Sequence, residues 1–331
     1  MAASRASAPA GPPALHAGGP VCYTRHERIR MVRLLVVLQW VLGRLPFRLG
    51  NWLADRMGEV AWMVSPRSRC AARSNMRHVL GPDVPEREVR RMVRRVFRNA
   101  TRNYYDLMRV SRMSNDELLR MVDCDEESLE MVRTLAAEGK GILLFSAHWG
   151  AFDLVSQVLT TLGLSIMFLV ARFRPPSVAE FLIALRANRG SELVMVDDGL
   201  ATLKRAMQAL RAGRLVGLMP DRNMDRTGVV VPFFGDDTVV GTGLAKMALR
   251  GHTPVVAGFC YRTAPGRYKL YFCPPIYPPR EGSEDERVRE LTREVFAVIE
   301  QQIARHPDQW TLLQPVWPDA PCPPDPGMAP A

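Results

Sequence analysis

The sequence predicts an α/β protein in which a mostly parallel central sheet, flanked by helices, follows a helical N-terminal region. Two observations lead to this class. After Lys140, short apolar runs alternate with helical stretches, which is the pattern of consecutive strand–helix–strand units. Before Lys140, apolar residues recur at helical spacing in segments rich in arginine. The 331 residues are 47% hydrophobic and 24% charged, which provides ample material for a core.

We expect a single domain over residues 27–317, between two disordered tails. Residues 1–26 and 318–331 are biased towards Ala, Pro and Gly without periodicity. Such segments bury too little surface to offset the entropy lost on ordering. Within the domain, residues 27–125 are predicted to be helical and membrane-proximal, and residues 126–317 to form the α/β core.

The first element is a helical stretch over residues 27–64 in which apolar residues are interrupted by single arginines. Trp40, Trp52 and Trp62 are scattered along it. This composition is typical of helices that lie in a membrane interface, with arginine facing anionic lipid; the alternative is a helical hairpin packed on the core. The longest uncharged run, residues 34–43, is much shorter than the about 20 residues that span a bilayer.

The second element is an amphipathic helix for which Asp83 and Glu86 form a plausible capping box. Apolar side chains recur along it at helical spacing: Val89, Met92, Val93, Val96, Phe97, Ala100, Tyr104, Leu107 and Met108. Its opposite face carries arginines that either track phosphates or are only solvated, and we favour solvation.

The third region alternates strands and helices. Strands are predicted over residues 141–146, 165–170, 192–196, 215–219, 254–259 and 268–273, and helices over residues 151–162, 176–189, 199–212, 243–250 and 284–305. Ligands of such sheets bind beyond the carboxyl ends of the strands, where we expect the chemistry.

Charge and cysteine usage narrow the setting. The net charge is +10 and arginine supplies nearly all the positive charge, which indicates either an anionic partner or a GC-rich genome. Nucleic acid is a poor candidate, because the arginines are not interleaved with aromatics in a recognisable module. The six cysteines have no regular spacing and no CxxC pair, which argues against a disulfide framework or a zinc site and favours reduced thiols in the cytoplasm.

The strongest chemical signal is His148, which directly follows the first buried strand, with Asp153 after four intervening residues. If the chain turns at Gly150, the Asp153 carboxylate can hydrogen-bond one ring nitrogen and raise the basicity of the other. Such a base removes a proton from an alcohol. There is no GxSxG elbow to supply a nucleophile, and no GxGxxG, Walker or HExxH motif to support nucleotide or zinc chemistry.

Four blocks in this order resemble the lipid A biosynthesis acyltransferase family, which includes the phosphatidylinositol mannoside acyltransferases. The resemblance covers about residues 30–317. The blocks are the HX4D motif at 148–153, ARFRP at 171–175 followed by Arg186, PDRN at 220–223 continuing through VPFFG at 231–235 to GTG at 241–243, and HPDQWTLLQ at 306–314.

The resemblance implies a glycerolipid-acyltransferase type of fold and direct transfer of a fatty acyl group, without an acyl-enzyme. His148 would be the general base. Asp221 matches an acidic residue that partners the histidine in the family, so Asp153 and Asp221 compete for that role, and we favour Asp153 for local orientation. Arg186 matches an arginine that binds acceptor phosphate or stabilises oxyanion charge. The further candidate substrate-binding residues are Arg172, Arg222, Pro232, Phe233, Phe234, Gly235 and Thr242, although the three aromatic-motif residues at 232–234 also suit a wall of the core.

The implied donor is acyl-CoA or an acyl carrier protein thioester, with no cofactor and no metal required. The implied acceptor is a membrane glycolipid, either a phosphatidylinositol mannoside or a lipid A precursor. We expect a peripheral protein on the cytoplasmic face of the bacterial inner membrane. Two other interpretations stay open. One is an inactive lipid-binding protein, which the presence of both His148 and Asp153 argues against. The other is a thioester hydrolase.

Overall fold

A computed structural model describes residues 25–171, 175–196, 199–223 and 225–318. Nearly all of residues 1–26 and 318–331, for which we predict disorder, lie outside the described residues. So does Arg172.

Residues 25–137 form six helices: α1 (Arg25–Leu42), α2 (Phe47–Val64), α3 (Pro66–Leu80), α4 (Glu86–Val110), α5 (Asn115–Met121) and α6 (Glu126–Ala137). α2 packs closely on α4 because two glycines face it. A Cβ at Gly50 would lie 2.0 Å from the Tyr105 ring, and one at Gly58 would lie 2.7 Å from the Cα of Arg98. The predicted capping box of α4 is wrong. Pro85 is the N-cap, and Glu86 instead pairs with arginines of α3.

The main sheet has seven strands in the order β1-β9-β8-β2-β5-β3-β4. They are β1 (Val122–Cys124), β2 (Ile142–Phe145), β3 (Ile166–Val170), β4 (Glu192–Met195), β5 (Leu215–Leu218), β8 (Val255–Ala264) and β9 (Arg267–Phe272). The five strands from β8 to β4 are parallel, whereas β9 runs antiparallel to β8. The short strand β1 lies before residue 126, where the predicted α/β core begins, and pairs in parallel with β9 at one edge of the sheet. The predicted α/β class with a mostly parallel sheet and N-terminal helices is therefore confirmed.

Helices cover both faces of this sheet: α7 (Asp153–Thr161), α8 (Pro176–Ala187), α9 (Gly199–Arg211), α10 (Gly243–Gly251) and α11 (Glu284–Arg305). The last of these begins at a capping box in which Ser283 and Glu286 satisfy each other's backbone N–H groups. The β2 strand is fully buried, as expected for a strand covered by helices on both faces.

A separate antiparallel hairpin of β6 (Val229–Phe233) and β7 (Asp236–Val240) contains most of the VPFFG segment. Phe233 is buried and stacks on Trp317 at 5.5 Å between ring centroids, while Phe234 occupies the left-handed region at the turn. Phe233 also packs edge-on against Phe296 of α11. This hairpin is absent from the sequence-based assignment.

The cysteines differ in part from expectation. Cys124, Cys260 and Cys273 are free thiols, but Cys70 is disulfide-bonded. The expectation that every thiol is reduced is therefore wrong for Cys70.

Candidate active site

His148 lies just beyond the carboxyl end of β2, with one fifth of its side chain exposed. Its Nδ1 lies 2.9 Å from Oδ1 of Asp221, and its backbone N–H donates to Oδ2 of the same carboxylate at 2.8 Å. An ionised carboxylate can only accept hydrogen bonds, so Nδ1 carries the ring proton. The lone pair is consequently on Nε2, the nitrogen that can act as a base.

Asp221 reaches His148 because of the register between two adjacent strands. Phe145 at the end of β2 is paired with Leu218 at the end of β5. His148 and Asp221 each follow three residues after their member of that pair. The two side chains are 73 positions apart in sequence, yet the parallel sheet brings them together.

The Asp221 carboxylate is fully buried and stays ionised. Burial acts to raise its pKa, but the facing imidazole and the hydrogen bonds from His148 and Trp310 outweigh burial and lower that pKa below its usual value. The Trp310 indole N–H donates to Oδ2 at 3.0 Å. The carboxylate therefore accepts three hydrogen bonds and is held in one orientation.

The HPDQW segment supports both members of this pair. Trp149 and Trp310 form an antiparallel bridge, and the Thr311 N–H donates to the carbonyl of His148 at 2.7 Å. The Gly150 N–H donates to the carbonyl of Gln309 at 2.9 Å. The segment is thus architectural, and its purpose is to fix the His148 backbone and the Asp221 side chain.

Asp153 does not take the place that we favoured from the sequence. Its carboxylate receives Nε and Nη2 of Arg186 at 2.6 and 3.2 Å. Burial acts to lower the pKa of Arg186, but the Asp153 carboxylate raises it, so the guanidinium remains charged. Asp153 is the first residue of α7, and its side chain pairs with Arg186 of α8. The carboxylate in contact with the imidazole is Asp221.

Two cavities meet at His148. One, of about 290 Å³, runs between the sheet and helices α7 and α8 and is walled mainly by apolar side chains, among them Phe145, Val155, Phe168, Leu182 and Leu193. The other, of about 300 Å³, is bounded by α3, α4 and the segment 311–314. Both are lined by Tyr104, His148, Phe152, Asp153, Arg186 and Arg222.

The remaining predicted binding residues divide into two groups. Arg186 and Arg222 line both cavities, as a substrate-binding role requires. Pro232, Phe233, Phe234, Gly235 and Thr242 line neither of these two cavities, and their contact with substrate stays a prediction. Phe233 turns into the core, where its ring centroid lies 6.0 Å from that of Trp310. VPFFG thus supports Asp221 from behind, through Trp310.

Sequence reasoning missed two residues of the site. Tyr104 of α4 lines both cavities, but helical spacing alone assigned it to the apolar face. Phe152 packs edge-on against the His148 ring, with centroids 5.4 Å apart. Its position inside the HX4D motif was the available signal.

An oriented histidine beside an apolar channel, with two arginines at the same place, is an arrangement that suits an acyltransferase. The comparisons with known proteins agree. The family model described as bacterial lipid A biosynthesis acyltransferase matches residues 23–318. The chain belongs to this family.

The chain is similar to relatives of two kinds. A phosphatidylinositol mannoside acyltransferase of Mycobacterium tuberculosis is 27% identical over 217 residues, which cover 65% of this chain and 67% of the relative. A lipid A biosynthesis acyltransferase of Haemophilus influenzae is 24% identical over 275 residues, which cover 82% and 83% of the two chains. Among solved structures, the 1-acyl-sn-glycerophosphate acyltransferase PlsC of Thermotoga maritima aligns with 78% of this chain and 99% of its own. Its TM-score is 0.36 and its identity 15%, too low to support an argument.

Proposed function

We propose that the protein transfers a fatty acyl group from a thioester to a hydroxyl of a membrane glycolipid, with His148 as general base. The observation that carries the proposal is the His148–Asp221 pair at the junction of the two cavities. One cavity suits an acyl chain because its walls are apolar. The other suits a polar acceptor because Asn103, Arg222 and Gln314 line it.

In the proposed reaction, Nε2 of His148 takes the proton of the acceptor hydroxyl as its oxygen attacks the thioester carbonyl. The C–O bond forms, the C–S bond breaks, and the departing thiolate receives the proton from the imidazolium. Asp221 stabilises that imidazolium through Nδ1. Arg186 and Arg222 supply positive charge where the carbonyl oxygen becomes an oxyanion. No cofactor or metal enters these steps.

The names of the relatives indicate the acceptor class. We propose a phosphatidylinositol mannoside-like glycolipid, as in the mycobacterial relatives' names, ahead of a lipid A precursor. The proposed donor is acyl-CoA or an acyl carrier protein thioester. Both donors present the acyl group as a thioester on a phosphopantetheine arm, so either is compatible with the same chemistry at His148.

The first two helices provide a surface for membrane docking. Eleven of the sixteen exposed large hydrophobic residues of the described chain lie on α1 and α2, including Trp40 at 52% and Trp52 at 56% exposure. Such a concentration of exposed apolar residues on two neighbouring helices marks an interaction site. Arginines flank these residues, and Arg44 lies over the Trp40 ring at 3.9 Å. We propose that this surface binds the anionic lipids of the cytoplasmic face of the inner membrane.

No helix in the described ranges combines the length and apolarity needed to cross a bilayer.

The proposed function is tested with His148→Asn and a matched control, His252→Asn. Asparagine at 148 keeps an N–H for Asp221 but removes Nε2. The control removes an imidazole at an exposed helix end where the backbone is left-handed, a conformation that asparagine tolerates. Radiolabelled acyl-CoA and acyl carrier protein are incubated with membrane lipids, and both labelled glycolipid and free fatty acid are measured.

We expect His148→Asn to lower glycolipid labelling by about 10²- to 10⁴-fold, the usual contribution of a general base, and the control to match wild type. Equal labelling by wild type and folded His148→Asn would refute the base assignment. Free fatty acid in place of glycolipid would identify a hydrolase, and no turnover of either kind by wild type would identify a lipid-binding protein.

A further inference from the structure

A third, smaller cavity of about 70 Å³ lies between the β5–β6 connection, the end of β7 and the C-terminal segment. Its lining includes Arg222, Asn223, Arg226, Gln314 and Trp317. Arg222 lines all three cavities, and Gln314 is shared with the cavity assigned to the acceptor. This third cavity therefore adjoins the candidate active site without being part of the acyl channel.

One residue of the lining, Trp317, carries a buried hydrogen-bond donor without an acceptor among the described residues. Trp317 is only 2% exposed, and its Nε1 has no partner within the described ranges. The ring is fixed in place by stacking on His78 at 4.0 Å and on Phe233 at 5.5 Å between centroids. A buried donor is nearly always satisfied in a folded protein, so this indole N–H indicates a missing acceptor.

The charges around the cavity favour an anion. Arg222 and Arg226 contribute two guanidinium groups to the lining. The one carboxylate in the lining, Asp221, is already engaged by three hydrogen bonds and has no exposed side-chain surface. Arg226 occupies the left-handed region at φ 50°, which is uncommon for a residue with a side chain. Asn223 anchors the loop by donating to the carbonyls of Thr227 and Val239 at 3.1 and 3.0 Å.

We propose that this cavity binds a phosphate ester carried by one of the two substrates, with Trp317 and Arg226 as direct contacts. The proposal rests on the proposed function. A cavity of 70 Å³ holds about two water molecules at about 30 Å³ each, which suits one phosphate group and not a nucleotide. The phosphate belongs either to the coenzyme A or phosphopantetheine arm of the donor or to the phosphodiester of the acceptor lipid. In both cases it anchors a substrate whose reacting atom lies at His148.

Binding is measured first, without any need for turnover. The protein is labelled with ¹⁵N-tryptophan, and the Trp317 indole signal is identified as the one absent from Trp317→Phe. Free coenzyme A and glycerophosphoinositol are the probes. We expect one probe to shift the Trp317 signal, with about fivefold to tenfold weaker binding in Arg226→Gln, because a charge-assisted hydrogen bond is lost. A Trp317 signal that neither probe moves would overturn the proposal.

Kinetics then assign the source of the phosphate. Arg226→Gln is compared with Arg250→Gln, which removes an exposed arginine in the last turn of α10. We expect Arg226→Gln to raise one KM about fivefold to tenfold with little change in kcat, and Arg250→Gln to match wild type. An increase in the donor KM that disappears with an N-acetylcysteamine thioester, which lacks phosphate, assigns the donor. An increase in the acceptor KM that persists with that thioester assigns the acceptor.

The two proposals fail separately. A Trp317 signal that responds to a probe in a protein without acyl transfer would keep the phosphate site and remove the proposed function. Acyl transfer with unchanged KM values in folded Arg226→Gln and Trp317→Phe would keep the function and remove the site.

Discussion

Replacing Asp221 by asparagine should disable the proposed base while leaving the fold intact. The Oδ2 atom of Asp221 accepts from both His148 N–H and Trp310 Nε1, and Oδ1 accepts from His148 Nδ1. An asparagine satisfies the two donors at Oδ2 only with its oxygen there. Its NH₂ group then faces Nδ1, which must become the acceptor, so the ring proton moves to Nε2. The nitrogen that should take the acceptor proton is then already protonated.

The size of the effect follows from the lost charge. The Asp221 oxygen and the imidazole nitrogen are 2.9 Å apart, and opposite charges about 4 Å apart interact by about 4 kcal/mol at an effective dielectric constant of 20. That energy corresponds to about 10³-fold in rate, and the wrong tautomer adds to it. We expect kcat to fall at least that far with KM nearly unchanged.

The assay is the initial rate of thiol release from acyl-CoA in the presence of acceptor lipid, over a range of pH. Imidazole ¹⁵N shifts report the tautomer directly, and circular dichroism reports the fold. Two results for a folded Asp221→Asn variant would refute the reasoning. One is a kcat of a tenth of the wild-type value or more, and the other is a His148 ring proton that stays on Nδ1.

Three further predictions concern charge and surface. Asp153→Asn should lower the free energy of unfolding by about 3 kcal/mol, because it leaves the buried Arg186 guanidinium unpaired; the double variant Asp153→Asn/Arg186→Gln should recover part of this loss in urea titrations, and no recovery would count against the pair. Because the folded state lowers the pKa of Asp221, the ionised carboxylate should contribute its full stability above the ordinary aspartate pKa of about 4. That contribution should be lost as the pH falls through the lowered pKa. The urea midpoint of Asp221→Asn should therefore depend less on pH in acid than that of wild type, and parallel curves for the two proteins would contradict this. The double variant Trp40→Ser/Trp52→Ser should bind anionic vesicles at least about tenfold more weakly in sedimentation assays, because each exposed indole of wild type buries substantial apolar area when it enters the membrane. Unchanged binding would exclude α1 and α2 as the docking surface.

The periodicity of the sequence predicted most of the sheet and its covering helices, because buried strands and amphipathic helices depend on local patterns. The closing helix is observed at residues 284–305, as predicted. The hairpin of β6 and β7 was not predicted, because the VPFFG pattern is equally compatible with a loop that covers the core. Its strands pair only with each other, so no alternation with helices revealed them.

The partner of His148 illustrates what a linear pattern cannot supply. Asp153 is close in sequence, but the start of α7 directs it towards Arg186, whereas Asp221 depends on the β2–β5 register. His78 provides a second case. Its Nδ1 lies 2.6 Å from Oδ2 of Asp236, which is 158 positions away in sequence. Contacts between distant segments require the strand order, which the sequence pattern leaves undetermined.

The bridge between Trp149 and Trp310 also has a consequence for the order in which the protein is made. The ribosome synthesises His148 and Asp221 well before residues 306–311, yet these late residues hold the His148 carbonyl and the Asp221 carboxylate. A nascent chain that has already formed β2 and β5 still lacks both constraints. The geometry of the His148–Asp221 pair is therefore complete only after residues 306–311 have been synthesised and have packed against the ends of β2 and β5.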